Sequence, residues 1–468
     1  MSFMRKIVLT GLAVALMSFV AEARTVEGCV VSGKEKLAGV IVTDGTNFTK
    51  TGKNGKFTFD IEDDAAFVYI VTPSGYVADW SSGVPAFYQK ADKDKYTFDL
   101  IKTASPDVYN ILAVGDPQPR KDRHFEEFIG VPLEDLAATG SSLDGVTVGV
   151  ALGDICFDVL RFQNSWKKEI PRAGFPFYPC IGNHDHDRSG DCRTDDDCLG
   201  AYRENLGPEN YAFCIGNDFV LVLDNIVYVG KDYKEAYSEY VLDWVKGLMA
   251  YVPEDADLYV VQHASLNGRY YIGMIPNHDV MLDLLKGHKV LFLSGHNHTN
   301  GNFEYAENVR EHNIAAICGT WWEAYHCTDG TPRGYKVYTK KDDHLSWYYK
   351  SIGHDRSFQF EVFKPGECPI NKESLVVNVW DYDPCWRVEW YQDGKYMGLM
   401  RQVDESSPLH TREIEAAYKA LGRSVPDYKR TRIARHYFAG NPSTNAETVK
   451  IKVTDRFGNV WTETVSLK

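Results

Sequence analysis

Five short apolar runs in the middle of the chain end in the same way, and this repetition constrains the fold more than any other feature. The run at 108–114 leads into Gly-Asp-Pro-Gln, that at 146–152 into Gly-Asp-Ile-Cys-Phe-Asp and that at 177–181 into Gly-Asn-His-Asp-His-Asp. Gln-His-Ala-Ser-Leu follows 257–261, and Ser-Gly-His-Asn-His-Thr-Asn follows 289–293. With a further run at 219–224 and helical or loop material between them, these read as buried strands of a layered α/β core. In such sheets ligands bind in the crevice beyond the carboxyl ends of the strands. One rule therefore draws Asp116, Gln118, Asp154, Asn183, His184, His263, His296 and His298 towards one place. A lone strand-end Asp or His usually caps a turn or satisfies a core hydrogen bond. Five coincidences at strand ends point to a site.

The residue types suggest metal. Carboxylates, amides and imidazoles form a mixed N/O donor set suited to divalent transition ions. Their number exceeds what one ion takes, so two ions are expected. A carboxylate can bridge ions about 3.5–4 Å apart, the arrangement used for in-line displacement at phosphorus. Asp154, which follows its strand directly, is the natural bridge.

The 468 residues, 44% of them hydrophobic, supply enough apolar material for two or three packed domains. The formal net charge of −14 argues against binding a nucleic-acid backbone by bulk electrostatics. Arg5 and Lys6 precede an apolar run over 7–20, and Ala21-Glu22-Ala23 supplies a small-x-small cleavage site, so 1–23 reads as an export signal and the mature chain as periplasmic or extracellular. No later segment is long and apolar enough to span a bilayer.

Residues 24–103 alternate like a small β-sandwich, with Asn54-Gly55 as a hairpin turn. Residues 104–358 hold the α/β pattern, with an amphipathic helix over 232–252 that places Tyr240, Val241, Trp244, Val245 and Leu248 on one face. Residues 359–468 are again strand-like, with turns at Asp393-Gly394 and Gly458-Asn459; the basic stretch Asp-Tyr-Lys-Arg-Thr-Arg-Ile-Ala-Arg-His between them reads as a solvated face. In an exported chain some of the ten cysteines can pair. Cys192 with Cys198, bracketing an acidic loop, is the favoured pair; Cys318 with Cys327 and Cys368 with Cys385 are further pairings. Cys156 and Cys180 read as buried thiols, and the acidic loop as solvated rather than calcium-binding.

The spaced polar set resembles the calcineurin-like metallophosphoesterases, whose signature runs D-x-H, G-D-x-x-D, G-N-H-D/E, a lone His and G-H-x-H. The matching pieces are Asp116-Pro117-Gln118, Gly153-Asp154, Gly182-Asn183-His184-Asp185, His263 and Gly295-His296-Asn297-His298. The resemblance implies a central four-layer α/β/β/α domain, here flanked by two small all-β domains; the first of these resembles the carboxypeptidase-regulatory-like sandwich. It also implies two divalent transition-metal ions (Mn, Fe or Zn). Asp116, Gln118, Asp154 and His298 would hold one; Asp154, Asn183, His263 and His296 would hold the other. A hydroxide between them would attack the phosphorus of a small phosphorylated substrate. His184 would contact the phosphoryl oxygen or protonate the leaving group, with Asp185 orienting its other nitrogen.

Two positions depart from the pattern. Gln118 stands where the family usually has His, although some branches carry Gln. In Gly-Asp-Ile-Cys-Phe-Asp the second acid, Asp158, falls one residue late, so its family role is not carried over. Near the site by family strand order, Trp321, Trp322 and Arg333 read either as pocket-lining or as core and turn residues, and Arg269 as either phosphate-binding or exposed. The expected activity is a phosphomonoesterase. A phosphodiesterase with the same site and a non-catalytic glycan-binding protein with a degenerate site are the alternatives, the last favoured by Gln118 alone.

Overall fold

The computed structural model describes residues 24–104, 107–189, 193–230 and 232–468; the export signal read over 1–23 and Cys192 of the favoured cysteine pair lie outside them. Among the described residues no helix is long and apolar enough to cross a membrane.

The α/β core is a pair of sheets. In one, the strands run Phe177–Pro179, Val146–Ala151, Val108–Val114, Gly334–Lys341 and His344–Ser351, the first three parallel. In the other, Asp218–Val222, Leu258–Val261, Val290–Ser294 and Val309–Asn313 lie parallel in that order, with Tyr211–Ile215 and Gly301–Ala306 antiparallel at the edges. The central strands carry unbroken apolar sequences because both faces are covered. Helices Asp122–Gly130, Pro132–Ser141 and Arg161–Glu169 flank the first sheet through Phe128, Leu133, Leu136 and Trp166, and Glu239–Met249 and His278–Leu284 flank the second. The result is the four-layer α/β/β/α arrangement. Between the sheets, Tyr109 and Tyr259 hydroxyls meet at 2.9 Å and Lys340 is ion-paired to buried Asp218 at 2.7 Å.

The N-terminal domain packs two small sheets around Val30, Phe57, Tyr69 and Phe98. Its strand Arg24–Ser32 pairs antiparallel with Lys56–Ile61 and parallel with Lys95–Lys102. It docks on helix Glu239–Met249, whose Trp244 donates from Nε1 to Tyr69 Oη at 2.8 Å. That helix is shorter than its periodicity predicts. Ser238 caps it by accepting the Val241 N–H at 3.3 Å, and 232–235 instead form a strand against Ile226–Val229. Tyr240, expected on the buried face, is 45% exposed.

The C-terminal domain has two four-stranded sheets, one centred on Leu375–Asn378 and Ile433–Gly440, the other on Arg387–Gln392 and Thr448–Thr454. It also carries a helix, Pro408–Ala420, that the strand-like reading of this region overlooks; Ser407 caps it and Pro408 occupies its first turn, a helix start visible in the sequence. Docking on the α/β core is polar and buried: Lys336 pairs with Asp381 at 2.7 Å, and Tyr437 donates to the Asp329 carbonyl at 3.0 Å. Arg432 and Lys429, expected to be solvated, instead lie over Tyr270 at 3.6 Å and against Glu323 at 2.5 Å.

Two expected disulfides do not form. The Cys318 and Cys327 thiols point to separate carbonyls, of Gly319 and Ala316, while Cys368 is buried beside Val376 and Cys385 lies exposed near Arg456.

A histidine of the α/β core titrates against the C-terminal domain. His326 sits between Glu413 (2.8 Å) and Glu361 (3.5 Å). Burial pulls its pKa down, but the two carboxylates outweigh this and raise it to about 9. A group raised on folding contributes stability that is fully present below its unfolded value near 6.5 and is lost as pH rises through about 9. The contribution is on the order of 3 kcal/mol. Between pH 7 and 10 the melting temperature of the wild type is expected to fall more than that of His326→Gln. Parallel thermal-unfolding curves across that range would contradict the assignment.

Candidate metal centre

Because the central strands of each sheet run parallel, their carboxyl ends open on one edge, and five of them deliver one or two polar groups each there. Asp116 and Gln118 follow Val108–Val114, Asp154 follows Val146–Ala151, Asn183 and His184 follow Phe177–Pro179, His263 follows Leu258–Val261, and His296 and His298 follow Val290–Ser294. The turns that aim them are strained. Of the fourteen described non-glycine residues with positive φ, eight are Asp116, Gln118, Asp154, Asp158, His296, His298, Trp321 and Trp322. Strain of this kind persists only where packing over-determines it, and it clusters at functional sites.

The side chains converge on Asp154. His263 Nε2 lies 3.3 Å from Asp154 Oδ1 and 3.1 Å from Asn183 Oδ1, and His296 Nδ1 lies 3.0 Å from His263 Nε2. One ligand atom each from Asp154, His263 and His296 fall within 4.8 Å of one another. On the other side of Asp154, the Gln118 amide donates to its Oδ2, and His298 Nε2 lies 3.5 Å from Asp116. Asp116 also accepts the His296 backbone N–H at 3.1 Å. His263 donates from Nδ1 to the Leu152 carbonyl at 2.7 Å, which fixes the tautomer and aims Nε2 inward.

Such a density of buried charge distorts titration. Burial pushes Asp116 up to about 8 against the pull of His263. Burial opposes ionisation of Asp154 too, but His263 and His184 outweigh it and hold it low. His263 is raised to about 10, the attraction of Asp154 overcoming burial, while burial lowers His298 to about 3.

The donor set fits divalent ions. Gln118 Oε1 is buried with no hydrogen-bond partner, a neutral oxygen left open beside Asp154. The remaining donors are the carboxylates and imidazole nitrogens such ions take.

Three residues outside the predicted set support it. Glu235 accepts from His296 Nε2 at 2.9 Å and from the Arg269 backbone N–H at 2.7 Å, the carboxylate–histidine pairing that orients metal ligands. Tyr228 donates to the Asn183 carbonyl. Asp158 accepts from His184 Nδ1 at 2.8 Å, and this corrects the expectation for Asp185. The Asp185 carboxylate is buried and accepts the backbone N–H groups of Gly182, Ile155 and Cys156 at 2.9–3.1 Å. It braces the loops and does not touch His184. The extra residue before Asp158 is absorbed by its left-handed backbone (φ 57°), which returns the carboxylate to the imidazole.

The four peripheral residues divide. Trp321 stacks on His298 with centroids 4.5 Å apart. Trp322 is buried and donates from Nε1 to the Pro117 carbonyl at 2.9 Å, tying down the Asp116–Gln118 turn rather than lining a pocket. Arg333 is held by Glu127 at 2.6 Å and packs on Trp322 and Tyr325, away from the cluster. Arg269 is exposed, its guanidinium 5.1 Å from the Tyr270 ring.

Three family models match the chain: the N terminal of calcineurin-like phosphoesterase over 24–103, calcineurin-like phosphoesterase over 109–300 and the C terminal of calcineurin-like phosphoesterase over 311–461. The chain belongs to the calcineurin-like phosphoesterases. It is thereby a hydrolase of phosphoric ester bonds, and the family implies divalent metal ions. No curated protein matches it. Similar solved structures include a dimetal phosphatase from Danio rerio (13% identity over 52% of this chain and 96% of that one, TM-score 0.38). Others are a phosphopantetheinyl hydrolase from Mycobacterium tuberculosis (11%, 45% and 91%, 0.30) and a 5′-nucleotidase from Candida albicans SC5314 (12%, 52% and 52%, 0.32).

Proposed function

We propose that the chain is an exported, dinuclear phosphomonoesterase. Asp116, Gln118, Asp154 and His298 would hold one transition ion, and Asp154, Asn183, His263 and His296 the other. The observation that carries this reading is His184. Its backbone N–H donates to Asp154 Oδ1 at 2.9 Å, its Nδ1 is engaged by Asp158, and its ring stacks on Phe157 at 4.0 Å. The imidazole is thereby fixed beside the ligand cluster with Nε2 open to an oxygen of the substrate. There it can hold a proton for the departing alkoxide, the step in which general acids contribute about 10²–10⁴-fold. When bound, divalent ions supply Lewis acidity towards phosphoryl oxygens and bring the pKa of water into the working range. Asp158 keeps the His184 tautomer, and Glu235 keeps His296 facing the cluster. The basic, apolar and small-x-small segments of 1–23 support export.

The test is hydrolysis of 4-nitrophenyl phosphate and bis(4-nitrophenyl) phosphate by protein loaded with Mn²⁺, Zn²⁺ or Fe. The monoester is expected to be favoured by about tenfold or more in kcat/KM, roughly 1.4 kcal/mol at the transition state. No turnover with any ion despite bound metal would overturn the enzyme reading, and diester preference would overturn the monoester one.

Gln118 sets a further expectation. Its amide oxygen is harder and weaker than the imidazole usual there, so the first site should favour oxygen-loving Mn²⁺. Gln118→His should shift occupancy towards Zn²⁺ when the protein is equilibrated with both ions and analysed by elemental mass spectrometry. An unchanged Mn:Zn ratio would exclude Gln118 from the ligand set.

A further inference from the structure

A recess bordered by Gln118 is walled partly by the C-terminal domain. Trp321, already stacked on His298, forms one wall, and Tyr428 meets it edge-on with centroids 5.5 Å apart. Tyr428 remains 52% exposed. Behind it, buried Lys429 lies 5.4 Å from the Trp321 ring and is neutralised by Glu323. Phe157, stacked on His184, also lines the recess, with the Arg120 guanidinium 5.1 Å from its ring centroid. Arg120 and Lys121 are exposed and make no ion pair with any described residue. Two uncommitted cations at the mouth of the site are notable in a chain of net charge −14.

We infer that this recess receives the leaving group, and that the substrate is a phosphate monoester whose alcohol portion carries a planar ring and a second anionic group. The inference rests on the monoesterase reading for the identity of the reacting centre. Phe157 places an aromatic surface alongside His184, so a ring attached to the departing oxygen would lie between Phe157 and the Trp321–Tyr428 pair. Aromatic surfaces of this kind select planar groups by stacking without reading their edges. Lys429 is spent on Glu323, so a second anion on the ring would be met by Arg120 and Lys121, whose donors are free for charge-assisted hydrogen bonds. The C-terminal domain thus contributes directly to specificity through Tyr428.

The test compares glycerol phosphate, phenyl phosphate and 4-carboxyphenyl phosphate in kcat/KM. Binding of phenylphosphonate and 4-carboxyphenylphosphonate, which cannot be hydrolysed, is measured by calorimetry on the same metal-loaded protein. The expected order is carboxyphenyl above phenyl above glycerol, each step about tenfold, or 1.4 kcal/mol. Tyr428→Ala should shrink the phenyl-over-glycerol ratio, and Arg120→Gln with Lys121→Gln the carboxyphenyl-over-phenyl ratio, in each case to near unity. The phosphonates should show the same loss for the carboxyl group. Equal rates for the three esters, or variants that lower all substrates alike, would overturn the subsite while leaving the enzyme reading intact. Ordered phosphonate binding without turnover of any ester would uphold the subsite and overturn the monoesterase reading.

Discussion

Asp154→Asn is expected to abolish both metal uptake and phosphatase activity, whereas His184→Asn should keep the metal and lose rate. The contrast follows from position. Asp154 is fully buried and is the point on which Gln118, His184 and His263 converge, so removing its charge leaves neither ion with a complete donor set. His184 makes its side-chain bond to Asp158, outside the ligand cluster, and its loss should lower kcat by about 10²–10⁴-fold with metal content unchanged. Asp158→Asn, which acts through His184, should cost less, about tenfold or more. It should also move the alkaline limb of the pH–rate profile to lower pH, because His184 must carry its proton and its pKa is raised by Asp154 and Asp158 against the effect of burial. Elemental analysis and steady-state kinetics on the three variants decide the matter. Equal activity in all three would refute the site, and metal loss in His184→Asn would make that residue a ligand.

How much of this could be read from the sequence depended on whether the information was local. Strand ends were legible because an apolar run broken by glycine and an acid is a short pattern, and eight such residues do meet at one edge. The residues that went unread owe their positions to distant partners. Glu235 looked like part of a helix because 232–252 has helical periodicity, but a Ser238 cap and pairing with 226–229 made its segment a strand. Asp158 looked out of register because a linear motif cannot show a left-handed residue that absorbs an insertion. Tyr428 and Lys429 looked solvated because nothing near them in sequence announces Trp321 and Glu323, more than a hundred residues away. Trp322 and Arg333 were open to two readings because only their hydrogen bonds separate them: Trp322 ties down the Asp116–Gln118 turn, whereas Arg333 is held by Glu127 and packs on Trp322.

Glycine supplies the second large expected effect. A Cβ on Gly182 would lie 2.2 Å from the Asp154 backbone nitrogen and 2.3 Å from its Oδ1. The loop has no freedom to retreat, since the Gly182 N–H is bound by Asp185 at 2.9 Å and its carbonyl is bonded to His186 at 2.9 Å. Gly182→Ala must therefore push Asp154 out of position. The over-packing should destabilise the fold by about 1–3 kcal/mol, and displacement of the shared carboxylate should lower kcat/KM by about 10²-fold or more along with metal content. Gly174→Ala separates the two effects. Its φ of 85° makes a side chain strained, about 1–2 kcal/mol, yet nothing lies within 4 Å of its Cβ position and it is remote from the ligands. It should lower the melting temperature while retaining full metal and activity. Wild-type metal content in Gly182→Ala would mean that Asp154 tolerates displacement, and with it that the close approach of these two loops does not set the geometry of the centre.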